Sequence, residues 1–336
     1  MLRIVPISLL FILFSCTTRK DSRDAKDTKE KKDVKESIVN QEPKIVRWES
    51  EFETAKQNAQ TYKRLLFVIM ENEGDTAFKN TFLNTTLRDA SLQSRLLNIT
   101  LLRLKGETLV RIENKDAMLR DHFAKSFSEG GDTLLIFNFA TEASNLHYGK
   151  IISALPLKLF PKFPQYDLNR IDVLTKILDL PIASVPERSL ILAVRLHPEG
   201  AYSTDGYLSP YLTEEAIGTT KLQVDRDFQG HPDWDSRFQR IIAKQGSGYQ
   251  APYENAAESW PHNISFVSAA LECVDSWKHS DGHWAATLWA WTDYAYHMRL
   301  NENGVWYCTG IYQQKRDAKK YPENLSQVLA LKKGRQ

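Results

Sequence analysis

The spacing of apolar residues between residues 46 and 155 predicts alternating helices and strands. A helix over residues 48–62 places its apolar and small positions on one face. Continuous apolar runs follow that are short enough to be buried strands, with helix-like segments between them. In chain order they are a strand at 65–70, a helix around 78–92, a strand at 99–104, a further helical stretch and a strand at 133–137. This order predicts an α/β domain with a largely parallel sheet.

The second half of the chain combines helical patterns with a hairpin signal. Helices are expected at 189–196, 208–224 and 264–277. A loop is expected around Gly230-His231-Pro232 and Arg237. Alternating residues at 294–300 and 305–312 flank a turn that ends in glycine, and this pattern predicts an antiparallel hairpin.

The first fifteen residues resemble an export signal. Arg3 precedes an apolar segment that is too short to span a bilayer. Leu13-Phe14-Ser15-Cys16 then resembles a bacterial lipobox, in which the cysteine is acylated. The alternative is an ordinary signal peptide with an incidental Cys16. Acylation of Cys16 would anchor the exported protein to a membrane of the cell envelope, and we expect the outer membrane or the cell surface.

Composition divides the chain further. Residues 16–45 alternate lysine and arginine with acids and contain almost nothing apolar, which predicts a solvated tether. The formal net charge of the whole chain is +2, which gives no electrostatic case for a nucleic-acid partner. Prolines are frequent after residue 155, and all but one of the eight tryptophans follow residue 230. The expected division is a signal peptide at 1–15, the tether at 16–45, domains at 46–155 and 188–313 with a linker at 156–187, and a basic tail at 314–336.

The remaining two cysteines, Cys273 and Cys308, leave two alternatives open. Disulfides persist in exported proteins, so the two thiols could be joined. They could equally be free thiols that pack as small hydrophobic groups.

Three motifs near the C-terminus carry a family resemblance. They are Glu254-Asn255-Ala256-Ala257-Glu258, the segment from Trp277 to His283, and Trp306-Tyr307-Cys308-Thr309-Gly310-Ile311-Tyr312. In this order they resemble the bacterial form of the CAP domain (cysteine-rich secretory, antigen 5 and pathogenesis-related 1 proteins). The resemblance implies an α-β-α sandwich over residues 188–313.

The CAP resemblance also implies a ligand-binding cleft. Its members would be His231, His283 and the acid Glu254, with His231 and His283 as possible metal ligands. Ser280 occupies the position of the family's second acid, and Asp281 beside it is the expected substitute. Two imidazoles and a carboxylate can bind Zn²⁺ and leave one coordination position open, so Zn²⁺ is a possible cofactor.

Residues 46–155 resemble a thioredoxin-like domain without its chemistry. The segment 71–79, where the redox pair of that family would lie, contains no cysteine. Asp132 stands where the family has a cis-proline before the third strand. Because thiol exchange needs a thiolate, the resemblance implies a redox-inactive binding module.

Plainer interpretations of the same residues remain open. His231 could be an exposed loop residue, and His283 could sit at a helix C-terminus to satisfy carbonyl groups. Glu254 could cap a helix that begins near Asn255. The other histidines named here are expected at the surface: His197, His262, His279 and His297.

Three classes of function compete. The favoured class is a cell-envelope binding protein, not an enzyme, that engages an unknown protein or lipid ligand through the cleft. The second is a metal-dependent hydrolase that uses His231, Glu254 and His283, and the third is a lipid or sterol carrier. The sequence has no nucleophile elbow, P-loop, dinucleotide fingerprint or H-E-x-x-H motif.

Overall fold

A computed structural model describes residues 46, 48–72, 76–112, 114–123, 131–159, 163–260 and 265–335. All of them belong to one compact unit, Lys44–Gln336. The predictions about the export signal, Cys16 and the tether lie outside the described residues. No helix in the described ranges is both long and apolar enough to span a membrane. The fold is α/β, as the sequence predicted.

The first half of the described chain forms a five-stranded sheet. Its strands are β1 (Trp48–Glu49), β2 (Leu65–Glu71), β3 (Ile99–Lys105), β6 (Thr133–Asn138) and β7 (Ile151–Pro156), in the order β1-β3-β2-β6-β7. A separate hairpin, β4 (Leu109–Ile112) with β5 (Lys115–Met118), follows β3. The pairs of β3 with β1 and β2 are parallel, whereas β6 pairs antiparallel with β2 and β7. The prediction of a largely parallel sheet is therefore wrong: two of its four pairings are antiparallel.

Helices cover this sheet on both faces. They are α1 (Phe52–Thr61), α2 (Thr76–Asn84) and α3 (Ala90–Leu96). Helix α1 buries Phe52, Ala55 and Ala59, as the sequence predicted. It begins at Phe52 and not at residue 48, because Trp48 lies in β1, where it is 36% exposed. The single helix expected around 78–92 is divided into α2 and α3, because Asp89 starts a new helix by accepting the backbone N–H of Ser91.

The described residues of the segment 156–187, which we predicted to be a linker, contribute side chains to the hydrophobic core. The segment contains α4 (Ile171–Leu178), which buries Val173, Leu174 and Ile177. Helix α5 (Val185–Leu196) follows with proline in its first turn and a capping box between Ser184 and Glu187. One core cluster includes buried side chains from the first sheet, from this segment and from α5.

The second half is built on a four-stranded sheet. Its order is β8-β10-β11-β9, where β8 is Tyr207–Leu208, β9 is Tyr253–Ser259, β10 is Asp293–Leu300 and β11 is Trp306–Gln313. The remaining helices are α6 (Pro210–Arg226), α7 (Trp234–Gln245), α8 (Phe266–Lys278), α9 (Asp281–Leu288) and α10 (Leu325–Lys333). Strands β10 and β11 form the hairpin that the sequence predicted.

Both faces of the second sheet are covered by helices. Side chains of α6 and α7 pack against Ala295 and Ile311 in one cluster. The neighbouring strand positions, Tyr296 and Cys308 among them, pack with α5, α8 and α9 in another cluster. Because successive strand residues point to opposite faces, the sheet lies between two helical layers.

Two elements of this half differ from the sequence predictions. The segment 234–245, expected as part of a loop, is α7. Glu254 and Asn255 lie in β9, so Glu254 does not cap a helix. In the basic tail at 314–336, Tyr321 stacks on Trp291 at a ring distance of 4.5 Å, and Val328 of α10 is buried.

Candidate functional site

Four side chains from three elements and one turn form the candidate site. Arg237 lies in the first half of α7, Glu254 in the edge strand β9 and His283 in the first turn of α9. His231 lies in the short turn that joins α6 to α7. Three of the four predicted cleft residues, His231, Glu254 and His283, are therefore brought together.

A buried ion pair forms the floor of the site. Arg237 donates from Nε to Oε2 of Glu254 and from Nη2 to Oε1, both at 2.7 Å. Both side chains are 1% exposed. Arg237 also donates to the carbonyl oxygen of Pro232, and Thr219 of α6 contacts the same carboxylate. The pair thus joins α6, α7 and β9, with the geometry of a strong charge-assisted interaction.

His231 lies above this pair. Its Nδ1 is 2.9 Å from Oε1 of Glu254. This contact fixes the orientation of the ring, and Nε2 is the ring nitrogen that does not contact the carboxylate. The side chain is 40% exposed, and its ring centroid is 5.7 Å from that of His283. A partly exposed histidine that a carboxylate orients through one ring nitrogen is typical of functional histidines.

His283 is half-buried and lies at the N-terminal end of α9. Burial lowers the pKa of His283, and the electrostatic interaction with the neighbouring His231 lowers it further. Its imidazole is therefore neutral at neutral pH. The interpretation of His283 as a cation at a helix C-terminus is wrong, because the residue occupies the first turn of the helix.

Asn255 fixes the position of His283. Its Nδ2 shares two hydrogens among three acceptors, the carbonyl oxygen of His283, Thr287 Oγ1 and Tyr312 Oη, at 3.0, 3.0 and 3.1 Å. Asn255 is 1% exposed. The residue after Glu254 in β9 thereby ties the start of α9 to the sheet, so one strand positions both halves of the cleft.

Asp281 does not join the site. The side chain is exposed at the start of α9. Within the described ranges no hydrogen bond or ion pair links Asp281 to His231, Glu254 or His283. Its expected role as a substitute acid in the cleft is therefore not supported by any contact.

The residues present do not fit a three-ligand zinc centre. Both oxygens of Glu254 accept N–H groups of Arg237, whose positive charge would lie against a metal bound there. No group of three histidine, cysteine or acidic side chains that could hold a metal ion occurs in the described part of the chain. His231 and His283 alone would be two ligands, fewer than the three of a catalytic zinc site.

The other histidines correct two surface predictions. His297 is 8% exposed, with Nδ1 at 2.6 Å from Thr220 Oγ1, and burial lowers its pKa to about 3. His197 is also 8% exposed and packs on Trp284 at 4.3 Å. His279 is exposed, as predicted, and His262 lies outside the described residues.

The two cysteines in the described residues are neighbours. Cys273 and Cys308 are both free and 0% exposed. Burial and then the hydrogen bond with Cys308 raise the pKa of the Cys273 thiol. Of the two alternatives, the structure has the pair of free thiols and not the disulfide.

Asp132 occupies a structural position in the first sheet. Its Oδ1 accepts the backbone N–H of Asn72 at 2.7 Å, and Lys79 lies 3.5 Å from Oδ2. The end of β2 therefore lies beside the residue that precedes β6. The carboxylate of Asp132 thus links the end of β2 to the start of β6. The thioredoxin resemblance would put the redox pair and the cis-proline of that family at these two positions.

Sequence reasoning missed the role of Arg237. The sequence placed this residue in a loop beside His231, whereas helix α7 turns it into the core. Arg237 is a charged residue in a segment with other charged residues, so the sequence gives no sign that its side chain is buried. Its partner Glu254 is 17 positions away. Comparisons with protein families, with characterised proteins and with solved structures found no match.

Proposed function

We propose that the chain is a lipid-anchored protein of the bacterial cell envelope that binds a ligand or protein partner through a CAP-type cleft. His231 and His283 are the contact residues in this proposal, and Arg237 with Glu254 forms the floor. The first half of the chain serves as a redox-inactive, thioredoxin-like module. Binding, not catalysis, is the proposed role.

The observation that carries the proposal is the engagement of Glu254. Because Arg237 takes both carboxylate oxygens and His231 contacts one of them, the acid is not free to act as a general base. The groups that the cleft offers to a ligand are then two imidazoles, 5.7 Å apart. His283 is neutral at neutral pH, so it can accept or donate one hydrogen bond.

The family resemblance gains support from the arrangement of elements. Helical layers on both faces of the second sheet agree with the α-β-α sandwich expected of a CAP domain. In the first half, the contact between Asn72 and Asp132 agrees with the thioredoxin-like arrangement, in which the redox segment lies beside the cis-proline position. Neither segment supplies a cysteine there.

The metal-dependent hydrolase is less well supported than binding. Such an enzyme needs three protein ligands and an open position on the metal. Glu254 would be the third ligand, but both of its oxygens accept N–H groups of Arg237. The lipid carrier shares the binding chemistry of the main proposal and differs only in the ligand. The same experiment separates all three.

Native mass spectrometry of the full chain, purified without chelator, tests the proposal. The wild type should carry an adduct that is not a metal ion, and His231→Ala and His283→Ala should both lose it. His279→Ala is the matched control, because this histidine is exposed and outside the cleft. A zinc-sized mass that both cleft variants lose would favour the hydrolase, and a noncovalently bound lipid that both cleft variants lose would favour the carrier. A bare mass in all samples would contradict the proposal.

A further inference from the structure

The outer edge of β8 carries unpaired backbone groups. Strand β8 is at one edge of the second sheet and pairs in parallel with β10. The N–H groups of Tyr207 and Ser209 donate to the carbonyl oxygens of Thr292 and Tyr294, each at 2.9 Å. The backbone groups of successive strand residues point to opposite edges of the strand, so the N–H and C=O of Leu208 point away from β10. No hydrogen bond in the described part of the chain uses either group.

A cavity of about 610 Å³ borders this edge. Leu208 and Tyr294 are paired residues of adjacent strands, and they line the cavity from one face of the sheet. Tyr207 and Ile217 of α6 line it from the other face, against which α6 packs. Because the outer edge of β8 lies between these two faces, the cavity extends along that edge. Its volume is in the range of pockets that hold small ligands.

Large apolar side chains surround the mouth of the cavity. Leu146 is 74% exposed, Tyr207 61% and Ile217 37%. They come from three separate elements, namely the turn after β6, strand β8 and helix α6. Exposed apolar groups that converge on one concave surface favour a ligand with apolar side chains.

The charged groups of the cavity wall do not select a charged ligand. Arg195 donates to the hydroxyl and the carbonyl oxygen of Thr204, so its positive charge has neutral partners there. Glu187 is 4% exposed and accepts the backbone N–H of Ser184, and Glu214 is exposed on α6. The wall therefore carries both signs of charge. What distinguishes the cavity is its apolar mouth and the backbone donor and acceptor at its centre.

We propose that β8 accepts an extended peptide segment of a partner protein as an additional strand. The backbone of that segment bonds to the N–H and C=O of Leu208. Its side chains are uncharged and point alternately to the two faces, one toward Tyr294 and the next toward Tyr207 and Ile217. In this kind of recognition the main-chain hydrogen bonds supply affinity and the alternate side chains supply specificity.

This site is independent of the histidine cleft. None of the four residues of that cleft lines the cavity. The proposal therefore does not rest on the proposed function of the cleft.

Calorimetric titration of the full chain with two capped pentapeptides tests the proposal. The first probe is acetyl-Val-Thr-Val-Thr-Val-amide, which is uncharged and composed of residues that favour strands. The second probe is the same peptide with a methyl group on every peptide nitrogen. The first should bind with one-to-one stoichiometry. The second should bind at least about tenfold more weakly, because it keeps the side chains but cannot donate to the carbonyl oxygen of Leu208.

Two variants of Leu208 isolate the backbone N–H. Leu208→Pro removes this outward donor and keeps the bonds to β10, because Tyr207 and Ser209 supply them. Leu208→Ala is the matched control, since it also shortens the side chain but keeps the N–H. We expect the proline variant to bind the first probe about fivefold more weakly than the alanine variant.

Hydrogen exchange of the wild type gives a further measurement that needs no variant. The amide of Leu208 should exchange more slowly when the first probe is bound. Equal binding of the two peptides would show that the cavity takes apolar groups without strand pairing, and it would overturn the proposal. No saturable binding of the first probe, equal affinities of the two variants, or unchanged exchange at Leu208 would overturn it as well.

Discussion

Replacing Arg237 by methionine should strongly destabilise the fold. The substitution keeps most of the side-chain volume but removes the guanidinium from a pair in which both members are 1% exposed. Glu254 then stays buried without its main partner, and loss of one member of a buried ion pair costs about 3–5 kcal/mol. We expect the lower end, about 3 kcal/mol, because His231 and Thr219 still contact the carboxylate.

Urea unfolding of the full chain at pH 7 measures this loss, and Arg240→Met provides its control. Arg240 lies on the same helix and also donates two N–H groups to a carboxylate, that of Glu215, but its side chain is 56% exposed. Because Arg240 itself is exposed to solvent and Glu215 is 12% exposed, we expect the loss of this pair to cost at most about 1 kcal/mol. The double variant Arg237→Met with Glu254→Leu should lose less than Arg237→Met alone. Equal losses for Arg237→Met and Arg240→Met would refute the reasoning from burial.

Three further predictions concern buried polar groups elsewhere. The pKa of His297 is about 3 in the fold and near 6.5 in an unfolded chain, so stability should fall as the pH drops from about 6.5 toward 3, by up to ~1.4 kcal/mol per pH unit. His297→Gln should flatten that slope in urea unfolding measured against pH. Arg188→Met should cost about 2–3 kcal/mol in the same assay, because it strands backbone carbonyls and a hydroxyl that the buried guanidinium satisfies; a loss below 1 kcal/mol would contradict this. Cys273 and Cys308 should resist alkylation in the native state and react after unfolding, as intact mass would show, because both thiols are fully buried; rapid labelling of the native protein would contradict the packing.

The sequence predicted elements whose apolar pattern is strong and local. The hairpin of β10 and β11 has regular alternation and a glycine at the end of its turn, so its register follows from short-range rules. The continuous apolar segments that form β2 and β3 gave an equally clear prediction of buried strands. In each case the neighbouring residues alone contain the signal.

Elements formed by distant pairing were missed. Strand β9 reads Tyr-Glu-Asn-Ala-Ala-Glu-Ser, a composition with little preference for strands, and it is held by antiparallel pairing with β11. The first sheet is mixed because β6 pairs antiparallel with both β2 and β7, a direction that the apolar run of β6 does not record. Tertiary pairing overrides local preference at β9.

The candidate site was only partly predicted, because local sequence patterns do not record tertiary packing. His231, Glu254 and His283 came from ordered motifs, and the structure brings them together. Arg237 was not predicted as a site residue, because its burial depends on the contact of α7 with β9. No local sequence pattern shows this contact. Asp281 was chosen because it follows Ser280, which occupies the position of the family's second acid, but its side chain at the start of α9 is exposed.

Footprinting of histidines with diethylpyrocarbonate tests the central claim, that His231 and His283 contact a ligand, most directly. The full chain would be labelled in the cell envelope and again after purification and dialysis, with His279 as an internal exposed reference. We expect labelling of His231 and His283, relative to His279, to be low in the envelope and to rise after dialysis. Labelling of His231 in the envelope as fast as that of His279, unchanged by dialysis, would contradict the claim.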